Sequence, residues 1–104
     1  MTSKVKVCEV EELKEGVLTK FDFGKETLAV LKSEGEIYIV EDTCSHQKYS
    51  LSEGEVDLEE LTVECPRHGA QFSLKTGEVL SLPATRPIKT YAAEIGNGAV
   101  WVSI

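Results

Sequence analysis

Basic charge, histidine, cysteine and long apolar runs are all scarce in this chain of 104 residues. Eleven Lys and Arg face eighteen Asp and Glu, leaving a net charge of -7. A phosphate backbone or an anionic membrane would be repelled by most of such a surface, so neither nucleic acid nor a membrane is expected as a partner. No apolar run approaches the roughly 20 residues that cross a bilayer. The start, Met1-Thr2-Ser3-Lys4-Val5-Lys6-Val7, lacks the apolar core of a secretory signal, so the expected location is the cytoplasm. Three cysteines cannot all pair with one another, and a reducing compartment keeps thiols free. A disulfide framework is therefore a poor explanation for them, and metal binding or catalysis is the better one. The apolar share of 41% is ordinary for a globular protein, and the length predicts one domain over residues 1–104 and a monomer. An acidic surface suits steered encounter with a basic protein, and it serves solubility equally well.

Helical periodicity is also missing. Val10-Glu11-Glu12-Leu13-Lys14-Glu15-Gly16 holds one turn of helical spacing and then stops at glycine. Short apolar or alternating runs dominate instead: Val5 to Cys8, Val17 to Phe23, Thr27 to Leu31, Ile37 to Val40, Leu61 to Glu64, Gln71 to Leu74, Tyr91 to Ile95 and Ala99 to Ile104. Gly24-Lys25, Glu34-Gly35, Thr76-Gly77 and Asn97-Gly98 punctuate them with residues that tolerate hairpin-tip geometry. The pattern predicts an all-β, antiparallel sandwich or barrel. Cys8 sits in Lys6-Val7-Cys8-Glu9-Val10 and reads as a small buried strand residue, while Tyr91 and Trp101 are expected in the core.

Two polar stretches break the rhythm, Asp42 to Asp57 and Cys65 to Gly69, and they contain both histidines and the two other cysteines. Written out, they hold Cys44-Ser45-His46 and Cys65-Pro66-Arg67-His68, each histidine within three residues after a cysteine. Two thiolates and two imidazoles on loops above a strand series make a metal site. A zinc finger places both cysteines before both histidines and carries the histidines on a helix, which this order does not do. A mononuclear iron triad needs a carboxylate where this chain has thiolates. A dinuclear cluster fits better, because two cysteines can hold one iron and two histidines the other.

These motifs resemble the Rieske family, whose pattern is Cys-x-His followed by Cys-x-x-His. Cys65-Pro66-Arg67-His68-Gly69 with Phe72, Leu51-Ser52-Glu53-Gly54, and Thr76-Gly77-Glu78-Val79 extend the similarity toward the soluble Rieske ferredoxins. The resemblance implies a Rieske-like antiparallel β-sandwich base with an inserted small cluster-binding subdomain over roughly residues 43–83. It implies one [2Fe-2S] cluster per chain on Cys44, His46, Cys65 and His68, and a third loop at Ser81-Leu82-Pro83-Ala84 covering it. With both histidines spent on the cluster, no catalytic residue is expected. The implied function is electron transfer from an NAD(P)H-dependent flavin reductase to a terminal oxygenase. The alternatives are a small subunit of a nitrite reductase and a structural zinc-binding domain.

Two neutral imidazoles in place of two thiolates remove negative charge from the cluster, so His ligation raises its potential. Hydrogen-bond donors near the sulfurs raise it further. Respiratory Rieske proteins place Ser and Tyr hydroxyls where this chain has Ala70 and Phe72, and Gln47 and Arg67 leave no cysteine for the loop-bridging disulfide of those relatives. The expected potential is therefore at the low end of the range, about -150 mV, and should fall in alkaline solution as ligand imidazoles lose their remaining N–H protons. Lys48, Arg67 and Arg86 lie in or near the loops and are candidates for a docking rim.

Overall fold

The fold is described from a computed structural model for residues 4–23, 26–42, 50–65, 69–81 and 87–103. Thr27-Leu28-Ala29-Val30-Leu31 is apolar on both alternating faces, the pattern of a strand covered from two sides. That is where it lies. β2 (Thr19–Phe23), β3 (Glu26–Ser33), β4 (Glu36–Glu41) and β8 (Thr90–Tyr91) form a four-stranded antiparallel sheet in the order β2-β3-β4-β8. Leu28 and Val30 of β3, with Ile39 of β4, point to one side; Ala29 and Leu31, with Val40, point to the other.

On the first side lies the sheet β1 (Lys4–Glu9), β10 (Ala99–Ser103) and β9 (Ala93–Gly96), which contributes Cys8, Val100 and Val102 to one apolar cluster. On the second side lies the small sheet β5 (Glu55–Asp57), β6 (Thr62–Glu64) and β7 (Gln71–Ser73), contributing Val63 and Phe72 to another cluster with Leu51, Cys65, Ala70, Leu74 and Ile88. Three antiparallel layers thus share the central sheet. Each large apolar side chain removed from water this way stabilises the fold by about 1.5–3 kcal/mol.

Local chemistry explains the connections. Glu34-Gly35 joins β3 to β4 and Asn97-Gly98 joins β9 to β10, all four residues at positive φ, as a two-residue hairpin of this twist requires. Gly24-Lys25 lies outside the described residues, although Phe23 pairs with Glu26 on either side. The helical spacing at Val10 becomes a single 3₁₀ turn, Val10–Glu12, where the Glu12 carboxylate accepts the Glu9 N–H at 2.6 Å.

Three expectations need correction. Tyr91 to Ile95 is two strands: β8 pairs with β4, and after Ala92 the chain switches sheets so that β9 pairs with β10. The polar stretch Asp42 to Asp57 ends in a strand, β5, whose Glu-Val-Asp sequence gives almost no local signal because it is a short sheet edge. Trp101 faces away from Val100 and Val102 and is half-buried, its indole N–H donating to the Gly96 carbonyl at 3.0 Å. Tyr91 does pack against the apolar cluster beside Ile39.

The pairing of β1 with β10 slips between Lys6 and Cys8, a bulge that turns Cys8 inward opposite Val100. Burial pushes the Cys8 thiol up to about 11, with the carboxylates of Glu12 and Glu9 adding to the effect. Only the thiolate attacks a disulfide reagent. Cys8 is therefore expected to react at pH 8 about a hundredfold more slowly than an ordinary thiol, measured by the time course of thionitrobenzoate release; prompt release from the folded protein at the rate of the denatured chain would contradict it.

Candidate metal centre

The second Cys-His loop grows out of a hairpin. β6 ends at Glu64 and β7 begins at Gln71, and those two residues are paired, so Cys65 and Ala70 stand on the end of a rigid ladder. The Cys65 N–H donates to the Ala70 carbonyl at 2.7 Å, and the Gly69 N–H donates back to the Cys65 carbonyl at 3.2 Å. Gly69 closes this turn at φ +77°, where a side chain would be strained and its Cβ would stand 3.1 Å from a Glu64 carboxylate oxygen. Cys65 itself is only 1% exposed and belongs to the apolar wall of Leu51, Val63, Ala70 and Phe72. A sulfur fixed on the rim of a ladder, backed by apolar side chains, suits a soft-metal ligand, because a dry surround and a set backbone both favour thiolate–iron bonds.

The segment with the first Cys-His pair is tied at its base. Asp42, just after β4, donates its N–H to the Thr27 carbonyl at 2.9 Å and accepts the Leu51 N–H on its own carbonyl at 2.5 Å. Its carboxylate oxygen Oδ1 accepts the Ser52 N–H at 2.8 Å. Leu51 then drives its side chain into the cluster that holds Cys65. Two residues on from Ser52, Gly54 packs so closely on β6 that a Cβ there would lie 1.8 Å from the Glu64 carbonyl oxygen.

The proposed third loop starts from the same place. Leu80 donates its N–H to the Gln71 carbonyl at 2.7 Å, and the Ser81 hydroxyl accepts the Gln71 N–H at 3.1 Å while donating to the Gly69 carbonyl at 3.5 Å. Leu51, close after residues 43–49, shares the apolar cluster of Cys65, and Ser81, just before residues 82–86, is bonded to Gly69 and Gln71 of the Cys65 turn.

Of the four sequence-predicted ligands, Cys65 is among the described residues, and Cys44, His46 and His68 lie outside them, as do Lys48, Arg67, Pro83 and Arg86. Among the described residues no group of three or more His, Cys, Asp or Glu gathers as a metal site. The sequence marked Gly54 and Ser81 only as members of motifs near the cluster, without the contacts they make, and it did not mark Asp42 as a site residue. The weak signal was a short polar residue or glycine at each loop boundary, where side-chain-to-backbone bonds and close approaches are made. An open groove on the outer face of β5, β6 and β7 is lined by Glu55, Asp57, Glu59, Glu60 and Glu64, with Leu58 and Leu80 exposed beside them.

Layered antiparallel sheets with a buried cysteine at the end of the β6–β7 ladder define a small all-β protein, and the chain's two Cys-His motifs are of the kind that hold a metal centre. The chain belongs to the Rieske [2Fe-2S] domain family, whose profile matches residues 3–92. It carries a Rieske-type [2Fe-2S] cluster. It is 41% identical over 102 residues to the 3-phenylpropionate/cinnamic acid dioxygenase ferredoxin subunit of Photorhabdus laumondii, spanning 98% of this chain and 95% of that one. Its structure is similar to the ferredoxin of carbazole 1,9a-dioxygenase from Nocardioides aromaticivorans IC177, with TM-score 0.91 and 30% identity over 96% of each chain. A complex of reduced oxygenase and oxidized ferredoxin in carbazole 1,9a-dioxygenase contains a chain 36% identical to it, with TM-score 0.86 over 96% of this chain and 92% of that one. A structure described as a nitrite reductase NADPH small subunit is less similar, 26% identical with TM-score 0.84 over 96% of this chain and 97% of that one. Among the described residues no helix is long and apolar enough to cross a membrane.

Proposed function

We propose that this protein is the ferredoxin component of a multicomponent ring-hydroxylating dioxygenase, taking one electron at a time from an NAD(P)H-dependent flavin reductase and delivering it to a terminal oxygenase. The observation that carries the reading is Cys65, a buried thiol on the end of the β6–β7 ladder, in a chain whose relatives along nearly its whole length are dioxygenase ferredoxin subunits. It is a cytoplasmic carrier with no catalytic residue of its own, one domain over residues 1–104 whose cluster-binding part spans roughly residues 43–83. The small sheet β5-β6-β7 falls inside that span, which supports the division.

Cys44 and Cys65 would hold one iron as thiolates, and His46 and His68 the other as neutral imidazoles. When bound, the cluster supplies one-electron redox chemistry. The chain's part is to hold the ligands and set the surroundings. Ala70 and Phe72 are fully buried and bring no hydroxyl to the second loop, so the added negative charge of a reduced centre gains no donor from either. The acidic groove beside Leu80 and Gln71 supports steered encounter with a basic protein surface.

A potentiometric titration followed by electron paramagnetic resonance is expected to give a midpoint of about -150 mV, falling in alkaline solution, with the low average g of mixed sulfur and nitrogen ligation. A midpoint well above zero would rule out the low-potential shuttle. Colourless protein containing zinc would instead establish the structural zinc domain.

A further inference from the structure

Asp42 is the one charged residue that is buried among the described residues, at 1% exposure. A carboxylate taken out of water is costly unless hydrogen bonds compensate it, and in a small domain such a cost is retained where it holds something in place. Asp42 belongs to neither apolar cluster, whereas its neighbours on β4, Ile39 and Val40, each pack into one of them. What Asp42 does is close a chain segment upon itself. Three of its groups are engaged within the frame of the fold: its N–H on the Thr27 carbonyl of β3, its carbonyl under the Leu51 N–H, and its Oδ1 under the Ser52 N–H.

The two donors on the far side open the 3₁₀ turn Leu51–Glu53. The first N–H groups of such a turn have no partner within it and must find one outside. Asp42 satisfies two of them with one residue, its backbone taking Leu51 and its side chain Ser52. The segment in between, residues 43–50, contains Cys44 and His46. The side-chain bond is thus a pin at the neck of the first ligand segment, while the backbone bond beside it is common to any residue at this position.

We infer that Asp42 is a positioning residue for the cluster: its carboxylate oxygen, by fixing Ser52 against the end of β4, pre-orders the segment that presents Cys44 and His46. This inference rests on the ferredoxin reading above. It goes beyond the ligand set, because the group that acts is an oxygen acceptor and makes no bond to iron. Without the pin, the ends of the segment remain joined by a single backbone bond, and ordering the two ligands costs conformational entropy at the moment of cluster binding.

The test uses the full holo-protein and compares Asp42→Ala with Asp42→Asn. Asparagine keeps an acceptor oxygen in the same position and drops the charge; alanine drops both. Loss of the visible cluster spectrum to an iron chelator is expected to run about tenfold faster in Asp42→Ala, equivalent to ~1.4 kcal/mol, and within about twofold of wild type in Asp42→Asn. The g values of the reduced Asp42→Ala protein should broaden or shift, while the hydrogen-exchange protection of β3 and β10 stays as in wild type. If alanine releases iron at the wild-type rate, or if asparagine is as defective as alanine, the inference fails. It fails as well if β3 and β10 lose protection to the same degree as the cluster. Should Asp42→Ala not fold, hydrogen exchange of residues 50–54 in wild type decides: slow Leu51 and Ser52 amides support the pin, and amides exchanging at random-coil rates overturn it. Wild-type protein without iron would sink the ferredoxin reading instead, so the two failures are distinct.

Discussion

Cys65→Ala is expected to yield a protein with no brown colour, no reduced-state paramagnetic signal and a cluster affinity lowered by more than about a hundredfold, since loss of supporting partners alone costs 10- to 100-fold in such sites. Cys65 is buried in the apolar cluster that includes Val63, Ala70 and Phe72, so trimming it also leaves a small void, a penalty of about 1 kcal/mol in a well-packed core. The void and the lost ligand must be separated. Cys8→Ala provides the comparison, because Cys8 is buried to a similar degree in the other apolar cluster, against Val100 and Val102. The two substitutions should destabilise the cluster-free chain by similar amounts, and only Cys65→Ala should abolish iron and acid-labile sulfide. Metal binding contributes to folding, so the holo-protein loses this further stability as well. A Cys65→Ala protein that purifies with a full complement of iron would remove Cys65 from the ligand set.

Gly54→Ala is expected to lower the melting temperature by about 10 °C or more, from a destabilisation of roughly 2–3 kcal/mol in a domain of this size. The added methyl carbon would stand 1.8 Å from the Glu64 carbonyl oxygen, a backbone atom that cannot swing aside as a side chain would. Either the 50–54 segment lifts or β6 shifts, and β6 leads directly into Cys65. Iron content should therefore fall together with stability. Gly35→Ala separates sterics from backbone strain: Gly35 sits at φ +81° with nothing within 4 Å of its would-be Cβ, so only the strain of positive φ remains, about 1 kcal/mol. A Gly54→Ala protein melting with wild type, as followed by circular dichroism, would mean that the close approach to Glu64 is absent in solution.

Much of the fold was legible because its causes are local. The apolar run Thr27 to Leu31 announced a strand, and Glu34-Gly35 and Asn97-Gly98 announced their hairpins, since side-chain patterning and positive φ are properties of neighbouring residues. The Cys-x-His and Cys-x-x-His spacings were legible for the same reason: the candidate ligand pairs are a matter of sequence distance within one short stretch.

Other features were decided only when distant segments met. Glu55–Asp57 is a strand because β6 offers it a ladder, and Tyr91 to Ile95 divides at Ala92 because β4 and β10 lie in different sheets. The bulge that turns Cys8 inward depends on its register with β10. Asp42 read as an ordinary boundary residue and Gly54 as one position of a motif until the fold sets one under Ser52 and the other against Glu64. Sequence alone therefore determined which residues this protein offers to its proposed centre, Cys44, His46, Cys65 and His68 in two motifs. Tertiary structure decided how firmly the loop bases are held, because hydrogen bonds and steric contacts between residues far apart in the chain exist only once the three sheets have packed.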